Sequence, residues 1–326
     1  MEKRRILVVG GAGYIGSHMV RHLLEQKQEV IVLDDLSLGH KAALPKAVRL
    51  YEGDLGDREW VEKLLRAENV TAVMHFAANA LVGESMTNPS KYFRNNVASG
   101  INLLDMAVES GVKKFVFSST CATFGIPDRM PLDESLPQRP INPYGESKLM
   151  FESILRWYEK IHGLSFVALR YFNAAGASEK FGEDHRIETH LIPNILKVAL
   201  GQKDHVEIYG TDYETPDGTC IRDYIHILDL AQAHILALSS PQSDFYNLGT
   251  GGGTSVREVI ETCKQVTGRD IKAIEKPRRA GDPPRLIAAS EKIRTALGWQ
   301  PQYQNIRAIV ESAWAWHVKN PNGYGD

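Results

Sequence analysis

Between the apolar run Ile6-Leu-Val-Val9 and an amphipathic stretch from Tyr14 to Gln26 lies Gly10-Gly-Ala-Gly-Tyr-Ile-Gly16, and no other segment narrows the possible folds as far. It satisfies both the G-x-G-x-x-G spacing and the wider Gly10-x-x-Gly13-x-x-Gly16. A tight turn, a close backbone approach to a pyrophosphate and close helix-to-strand packing each exclude a Cβ, and the following helix N-terminus offers free N–H groups and a positive dipole end. A second β-branched run ends at Asp34, 18 residues after Gly16. An acid at that strand end can accept from both ribose hydroxyls and repels a 2′-phosphate, so Asp34 and Asp35 favour NAD over NADP. Gly53-Asp54 follows the third strand in the same way and reaches the adenine side.

The rest of the first 175 residues keeps this rhythm. Short apolar runs at Arg5 to Val9, Glu29 to Asp34, Val48 to Tyr51, Thr71 to Phe76, Lys113 to Ser118 and Ser165 to Arg170 read as strands buried on both faces. The stretches between them, including Pro89 to Ser110 and Pro143 to His162, read as single helices crossing over a parallel sheet. The expected fold class is α/β, a doubly wound parallel sheet. After Asn173 the alternation is lost in a Gly-, Glu- and His-rich loop, Ala174 to His190, followed by a turn-rich stretch, Gly210 to Thr219. The reading is therefore a nucleotide-binding domain over residues 1–175 with returning segments near 223–250, and a smaller, interleaved mixed α/β substrate domain over 176–326.

Composition excludes several classes. With 38 Lys+Arg against 40 Asp+Glu the formal charge is -2, so no basic field exists for nucleic acid or an anionic membrane. No apolar run approaches a membrane span, and the run before Gly10 is too short for a secretory signal. Three widely spaced cysteines, Cys121, Cys220 and Cys263, make neither a disulfide framework nor a metal knuckle and suit a reducing, cytoplasmic setting. The 11 His show no metal spacing, His185 and His190 read as surface or pocket residues, and no metal is expected.

A Tyr-x-x-x-Lys spacing arises by chance about once in such a chain, but Tyr144-Gly-Glu-Ser-Lys148 stands just after Asn142-Pro143, a helix start, and puts both side chains on one helix face. For Tyr144 to act as a base near neutrality its phenol must drop by roughly 3 pKa units, about 4 kcal/mol, which a Lys148 ammonium and a nicotinamide cation would supply. Ser118 to Thr120 place hydroxyls at the C-terminal end of a strand, where open α/β sheets bind ligands.

Together with His75-Phe-Ala-Ala78, Asn95-Asn-Val97, Phe117-Ser-Ser-Thr120, Arg170-Tyr-Phe-Asn173, Arg222-Asp-Tyr-Ile-His226 and Arg278-Arg-Ala-Gly-Asp282, these motifs resemble the extended short-chain dehydrogenase/reductase superfamily, a Rossmann fold, and within it the UDP-glucose 4-epimerase family. The resemblance covers essentially the whole chain. It implies tightly held NAD, used catalytically in the isomerisation of UDP-galactose and UDP-glucose through a 4-keto sugar. Catalysis would fall to Tyr144, Lys148 and Thr120. NAD would be held by Gly10, Gly13, Tyr14, Ile15, Gly16, Asp34 and Asp35 at one end, by Asp54, Leu55, Phe76, Ala77 and Ala78 along its length, and by Asn95, Ser118, Tyr144, Lys148 and Tyr171 at the nicotinamide. The UDP-sugar would meet Thr120, Tyr144, Asn173, Arg222 and Arg279, with Asp282 at the ribose and Leu191 and Tyr209 flanking the uracil. The same resemblance implies a homodimer paired through the two long helices.

This sequence departs from the family pattern at Ala78 and Ala80, on the cofactor side, and at Phe124, where a Tyr hydroxyl is lost from the substrate side. At the pocket-size position Leu286 is intermediate between residues that exclude and admit N-acetyl groups, which keeps UDP-N-acetylhexosamine in view. The segment Ser118 to Gly125 also resembles enzymes that interconvert UDP-xylose and UDP-arabinose. Dehydratase chemistry needs an acid after Thr120, where Cys121-Ala122 stand. An NAD-binding sensor without catalysis is the remaining alternative, against which both Tyr144 and Lys148 are retained.

Overall fold

A computed structural model describes residues 5–279 and 282–325. Met1 to Arg4, and Ala280 and Gly281 of the Arg278 to Asp282 motif, lie outside the described residues. Strands β1 (Arg5–Val9), β2 (Glu29–Asp34), β3 (Arg49–Glu52), β4 (Ala72–His75), β5 (Lys114–Thr120) and β6 (Ser165–Tyr171) supply all but one strand of the main sheet. Further along come β7 (Asn173–Ala175), β8 (Val206–Tyr209), β9 (Ile221–His226), β10 (Asp244–Leu248), β11 (Gly253–Ser255), β12 (Ala273–Lys276) and β13 (Arg285–Leu286). The main sheet has seven strands in the order β10-β6-β5-β4-β1-β2-β3, all parallel. This is the doubly wound sheet expected from the sequence.

Successive residues of β1 point to opposite faces, as a strand requires. Ile6 and Val8 enter a core beneath the Tyr14–Glu25 and Ile227–Ser239 helices, whereas Leu7 and Val9 enter one beneath the Arg58–Ala67, Gly100–Glu109 and Pro143–His162 helices. All four side chains are buried, which explains why the strand reads as an unbroken apolar run. The chain leaves β1 for β2 on one side and returns to β4 on the other, so the strand order reverses between β1 and β4. A crevice opens there at the C-terminal strand ends.

The second core gathers around the Leu191–Ala199, Val256–Thr267 and Ile306–Lys319 helices. Its sheet centres on β9, which pairs parallel with β7 and β13 and antiparallel with β11. Strands β8 and β12 form a separate parallel pair. Helix Ile227–Ser239 and edge strand β10 belong to the first core, and so do Ile293 and Trp299.

One expectation needs correcting. The stretch from Pro89 to Ser110 is not one regular helix: Phe93–Ser99 is a π-helical segment between Pro89–Tyr92 and Gly100–Glu109. Such wide turns recur at functional sites because they re-aim side chains. Here the turn carries Asn95 and Asn96.

Candidate active site

At the end of β1 the glycines divide the work. Gly10 has φ +77, and a Cβ on it would meet Ala77 N at 2.5 Å, so it permits β4 to end close beside β1. A Cβ on Gly16 would overlap the Gly10 carbonyl oxygen. Gly13 differs, because its Cβ would find no protein atom nearer than Gly10 O at 3.5 Å. Nothing among the described residues demands a glycine at Gly13, which caps the Tyr14–Glu25 helix with open space above its free N–H groups. That cradle, which a Cβ would fill, fits a dinucleotide pyrophosphate.

Asp34 is buried and shapes this loop: its Oδ2 accepts from Ala12 N at 2.8 Å and its Oδ1 from Leu36 N at 2.9 Å. Burial nevertheless raises its pKa above the usual carboxylate value. Asp35 accepts from Ser37 N and Oγ, and Asp54 turns its own loop by accepting from Gly56 N at 2.8 Å. Leu55 and Ala77 pack against one core of the sheet, and Ile15 and Phe76 against the other. The Tyr14 phenol is committed to the second half of the chain, donating to Gly176 O at 2.6 Å.

Strand β5 delivers Ser118 and Thr120 to the crevice, and the Pro143–His162 helix, capped by Asn142 Oδ1 accepting from Gly145 N, delivers Tyr144 and Lys148. Ser118, Thr120 and Lys148 are buried, and Tyr144 is half-buried. The Thr120 hydroxyl lies close enough to the Tyr144 phenol to favour its charged form, and the hydroxyls of Ser118 and Tyr171 are hydrogen-bonded to each other. Lys148 Nζ donates to Ser118 O at 2.8 Å and sits 4.8 Å from the centre of the Phe117 ring.

Burial pushes the Tyr144 phenol up to about 12, opposed by the Thr120 hydroxyl. It brings Lys148 down to about 7, opposed by the Glu152 carboxylate one helical turn on. Lys148 alone thus does not bring the phenol down; the expected lowering rests on the lysine and a nicotinamide cation together. In a dry pocket both charged forms are disfavoured, and the ammonium is spent on a carbonyl, so the tyrosine keeps its proton until positive charge is brought to it.

Behind this pair lies a buried network absent from the sequence reading. Arg170 Nε and a terminal nitrogen reach Glu152 at 2.8 and 2.7 Å, Ser119 Oγ donates to Glu152 at 2.6 Å, and Gln138 closes the set. Asn96 was also missed. Its Oδ1 accepts from Asn79 N and Asn95 Nδ2, and its Nδ2 donates to Asn79 O and to Ser147 Oγ, next to Lys148. The π turn thus ties the loop after Ala78 to the helix of Tyr144.

On the other bank, Arg222 is held by Ile221 O, Pro283 O and Asp282 Oδ1 at 3.0, 2.9 and 3.1 Å. Cys121, next to Thr120, lies within electrostatic reach of both Tyr144 and Arg222, which places the arginine at the same crevice. Asn173 Nδ2 donates to Asp223 O at 3.2 Å, and Leu286 pairs in register with Arg222. Arg279 covers the Tyr209 ring at 3.8 Å, so one face of that ring already carries a cation. Leu191 opens its helix, packed against the second core. The Phe124 ring is buried with Leu132, Phe172 and Ala288 beneath Arg170, in the cluster against which Leu286 packs. Four donors that the scatter of histidines concealed, on Glu183, His185, Glu188 and His190, lie within 4.8 Å of one another.

Residues 6–249 match the NAD dependent epimerase/dehydratase family. The chain belongs to that family. Among its relatives, the UDP-glucose 4-epimerase of Streptococcus mutans is 54% identical over 98% of this chain and 99% of its own. This epimerase/dehydratase chain also superimposes on UDP-glucose 4-epimerase from Brucella ovis in complex with NAD, with TM-score 0.92, 45% identity and 95% and 97% of the two chains covered. The enzyme from Bifidobacterium longum, in complex with NAD+ and UDP, gives TM-score 0.93, 39% identity and coverage of 98% and 99%.

Proposed function

We propose that this member of the epimerase/dehydratase family is an NAD-dependent 4-epimerase that interconverts UDP-galactose and UDP-glucose. The observation that carries the reading is the Thr120–Tyr144 hydroxyl pair at the C-terminal sheet edge, facing the crevice that Gly13 leaves open. NAD, when bound, supplies a reversible hydride acceptor for the sugar C4 together with the positive charge that the phenol lacks. Gly10, Gly13 and Gly16 with Asp34 hold its pyrophosphate and ribose end, and Lys148 and Tyr171 its nicotinamide end.

The protein's own part is proton handling and anchoring. Tyr144, ionised once positive charge stands beside it, takes the proton of the sugar 4-hydroxyl; Thr120 donates a hydrogen bond to the phenolate before that transfer, and Lys148 holds charge nearby. The 4-keto sugar then turns over, so that the returned hydride would meet the other face of C4 and invert it, while Tyr144 gives the proton back to the 4-oxygen. Arg222 and Arg279 clamp the diphosphate through always-charged planar forks, Asn173 steadies the neighbouring groups, Asp282 meets the ribose, and Leu191 and Tyr209 hold the uracil. We further assign a cytoplasmic setting, supported by three free cysteines, and a homodimer. Met150, Trp157 and Ile161 leave an exposed apolar stripe along the Pro143–His162 helix, the face such pairing needs. Among the described residues no helix is long and apolar enough to cross a membrane.

The test is to incubate the purified protein, without added cofactor, with UDP-galactose, UDP-N-acetylgalactosamine and UDP-xylose separately and follow the anomeric proton signals by NMR. Conversion of UDP-galactose, lost in Tyr144→Phe, is expected. No conversion of any of the three with NAD added, or an unchanged Tyr144→Phe, overturns the assignment.

A further inference from the structure

The segment Glu183-Asp-His-Arg-Ile-Glu-Thr-His190 is absorbed by nothing above, yet it brings two carboxylates and two imidazoles together just before the Leu191–Ala199 helix. One ligand atom from each of Glu183, His185, Glu188 and His190 lies within 4.8 Å of all the others. The Glu183 and Glu188 side chains are only 5% and 4% exposed, too buried for solvated surface acids. His190 Nδ1 lies 2.7 Å and His185 Nε2 3.2 Å from the same oxygen, Glu183 Oε1. Neither approach has hydrogen-bond geometry, and Glu183 Oε1 and His185 Nε2 are both left without a hydrogen-bond partner. Buried polar atoms are seldom left unsatisfied, and those that are call for an explanation such as an ion.

We infer that Glu183, His185, Glu188 and His190 form a structural site for one divalent transition-metal ion of the zinc class. Two imidazoles and two carboxylates suit zinc, with bonds of about 2.0–2.2 Å. In a tetrahedral arrangement such bonds set ligands roughly 3.4 Å apart, so the four side chains close on the ion by small rotations. Four protein ligands leave no open position for substrate, so the ion's part is architectural. Its position says what it fastens. The His185 ring meets the edge of the Tyr14 ring, with centroids 6.0 Å apart, at the start of the helix that follows the glycine loop. His190 is the cap residue of the Leu191–Ala199 helix. The ion therefore locks the loop between the nucleotide-loop helix and the helix that carries Leu191.

The experiment measures zinc by mass spectrometry in the full-length protein after gel filtration, then titrates chelator-treated protein with Zn2+ alone. Wild type should hold about one equivalent, and His185→Ala and Glu188→Gln should each bind at least tenfold more weakly. His190→Ala guards against misfolding, since that side chain is 53% exposed. Cobalt substitution should give the strong visible absorption of four-coordinate Co2+ in wild type only, and chelation should lower the melting temperature of wild type but not of the variants. Wild type that binds zinc no better than the variants, or whose cobalt spectrum equals theirs, overturns the assignment.

Discussion

Replacing Gly13 with Ala separates what the fold requires from what a ligand requires. Gly13 has φ -76 and ψ 173, a backbone that any residue adopts, and its added methyl would have Gly10 O as nearest neighbour at an ordinary 3.5 Å. Reduced freedom of the unfolded chain favours Ala by about 0.4–1 kcal/mol, and the poorer helix cap costs a comparable amount. The cofactor-free Gly13→Ala protein should therefore unfold within about 1 kcal/mol of wild type. The methyl nevertheless projects over the helix N-terminus, where a pyrophosphate must approach the N–H groups. Pushing the phosphate out by a methyl radius forfeits several charge-assisted hydrogen bonds, so NAD affinity should fall about 100-fold or more, near 3 kcal/mol. Gly16→Ala is the contrasting control, since its Cβ overlaps Gly10 O and the turn itself must break. Denaturant unfolding of stripped protein and calorimetric NAD titration read the two effects separately. A Gly13→Ala protein that binds NAD like wild type, or that unfolds as readily as Gly16→Ala, would refute the reasoning.

Arg170→Met leaves the Glu152 carboxylate buried without its cation and should cost about 3–5 kcal/mol by urea unfolding, most of it regained when Glu152→Leu is added. His75 is held neutral by burial against Phe115, Phe117 and Phe151, its pKa brought down to about 3; His226 likewise reaches about 3, and His18 and His234 about 4. Because the folded values lie below the unfolded one, stability present above about pH 6.5 should be lost as pH falls toward 4. For His75 alone the loss at pH 5 is about 2 kcal/mol, and His75→Phe should shrink the difference between unfolding free energies at pH 7.5 and pH 5 by that amount. Trp157→Glu should convert a dimer to a monomer in light scattering, with the circular dichroism spectrum unchanged; a monomeric wild type would contradict the assigned pairing.

What could be read from the chain follows from where each signal resides. The β1–glycine–helix unit is written in adjacent residues of unusual type, so strand, turn and ligand-facing end were all legible. Strand β9 was not: Asp223 and His226 are fully buried in it and break the apolar alternation that marks a strand. The π turn at Phe93–Ser99 has no residue-type signature, because it differs from a regular helix only in which carbonyl each N–H finds. Glu152 and Arg170 lie 18 residues apart on a helix and a strand, and only the packing of that helix on the sheet reveals their pairing. Tyr144 and Lys148 were legible as a pair because one helix turn joins them. Their ionisation was not, because it depends on how dry the finished pocket is.

The buried carboxylate of Asp223 bears on how a sugar can turn around inside this protein. Its Oδ1 accepts from Thr250 N and Oγ1, and its Oδ2 from Gly251 N and Ala288 N. One side chain thus staples β9 to the segments that follow β10 and β13. The polypeptide also shuttles repeatedly between the two cores, after Tyr171, after His226, after Leu248 and again before Trp299. Cross-lacing of this kind ties the two cores together at several points of the described chain rather than at one hinge. Parting the halves would strain the Asp223 staple and each chain crossing at once, so the expected route for reorienting a bound small molecule is rotation about its own bonds within the crevice.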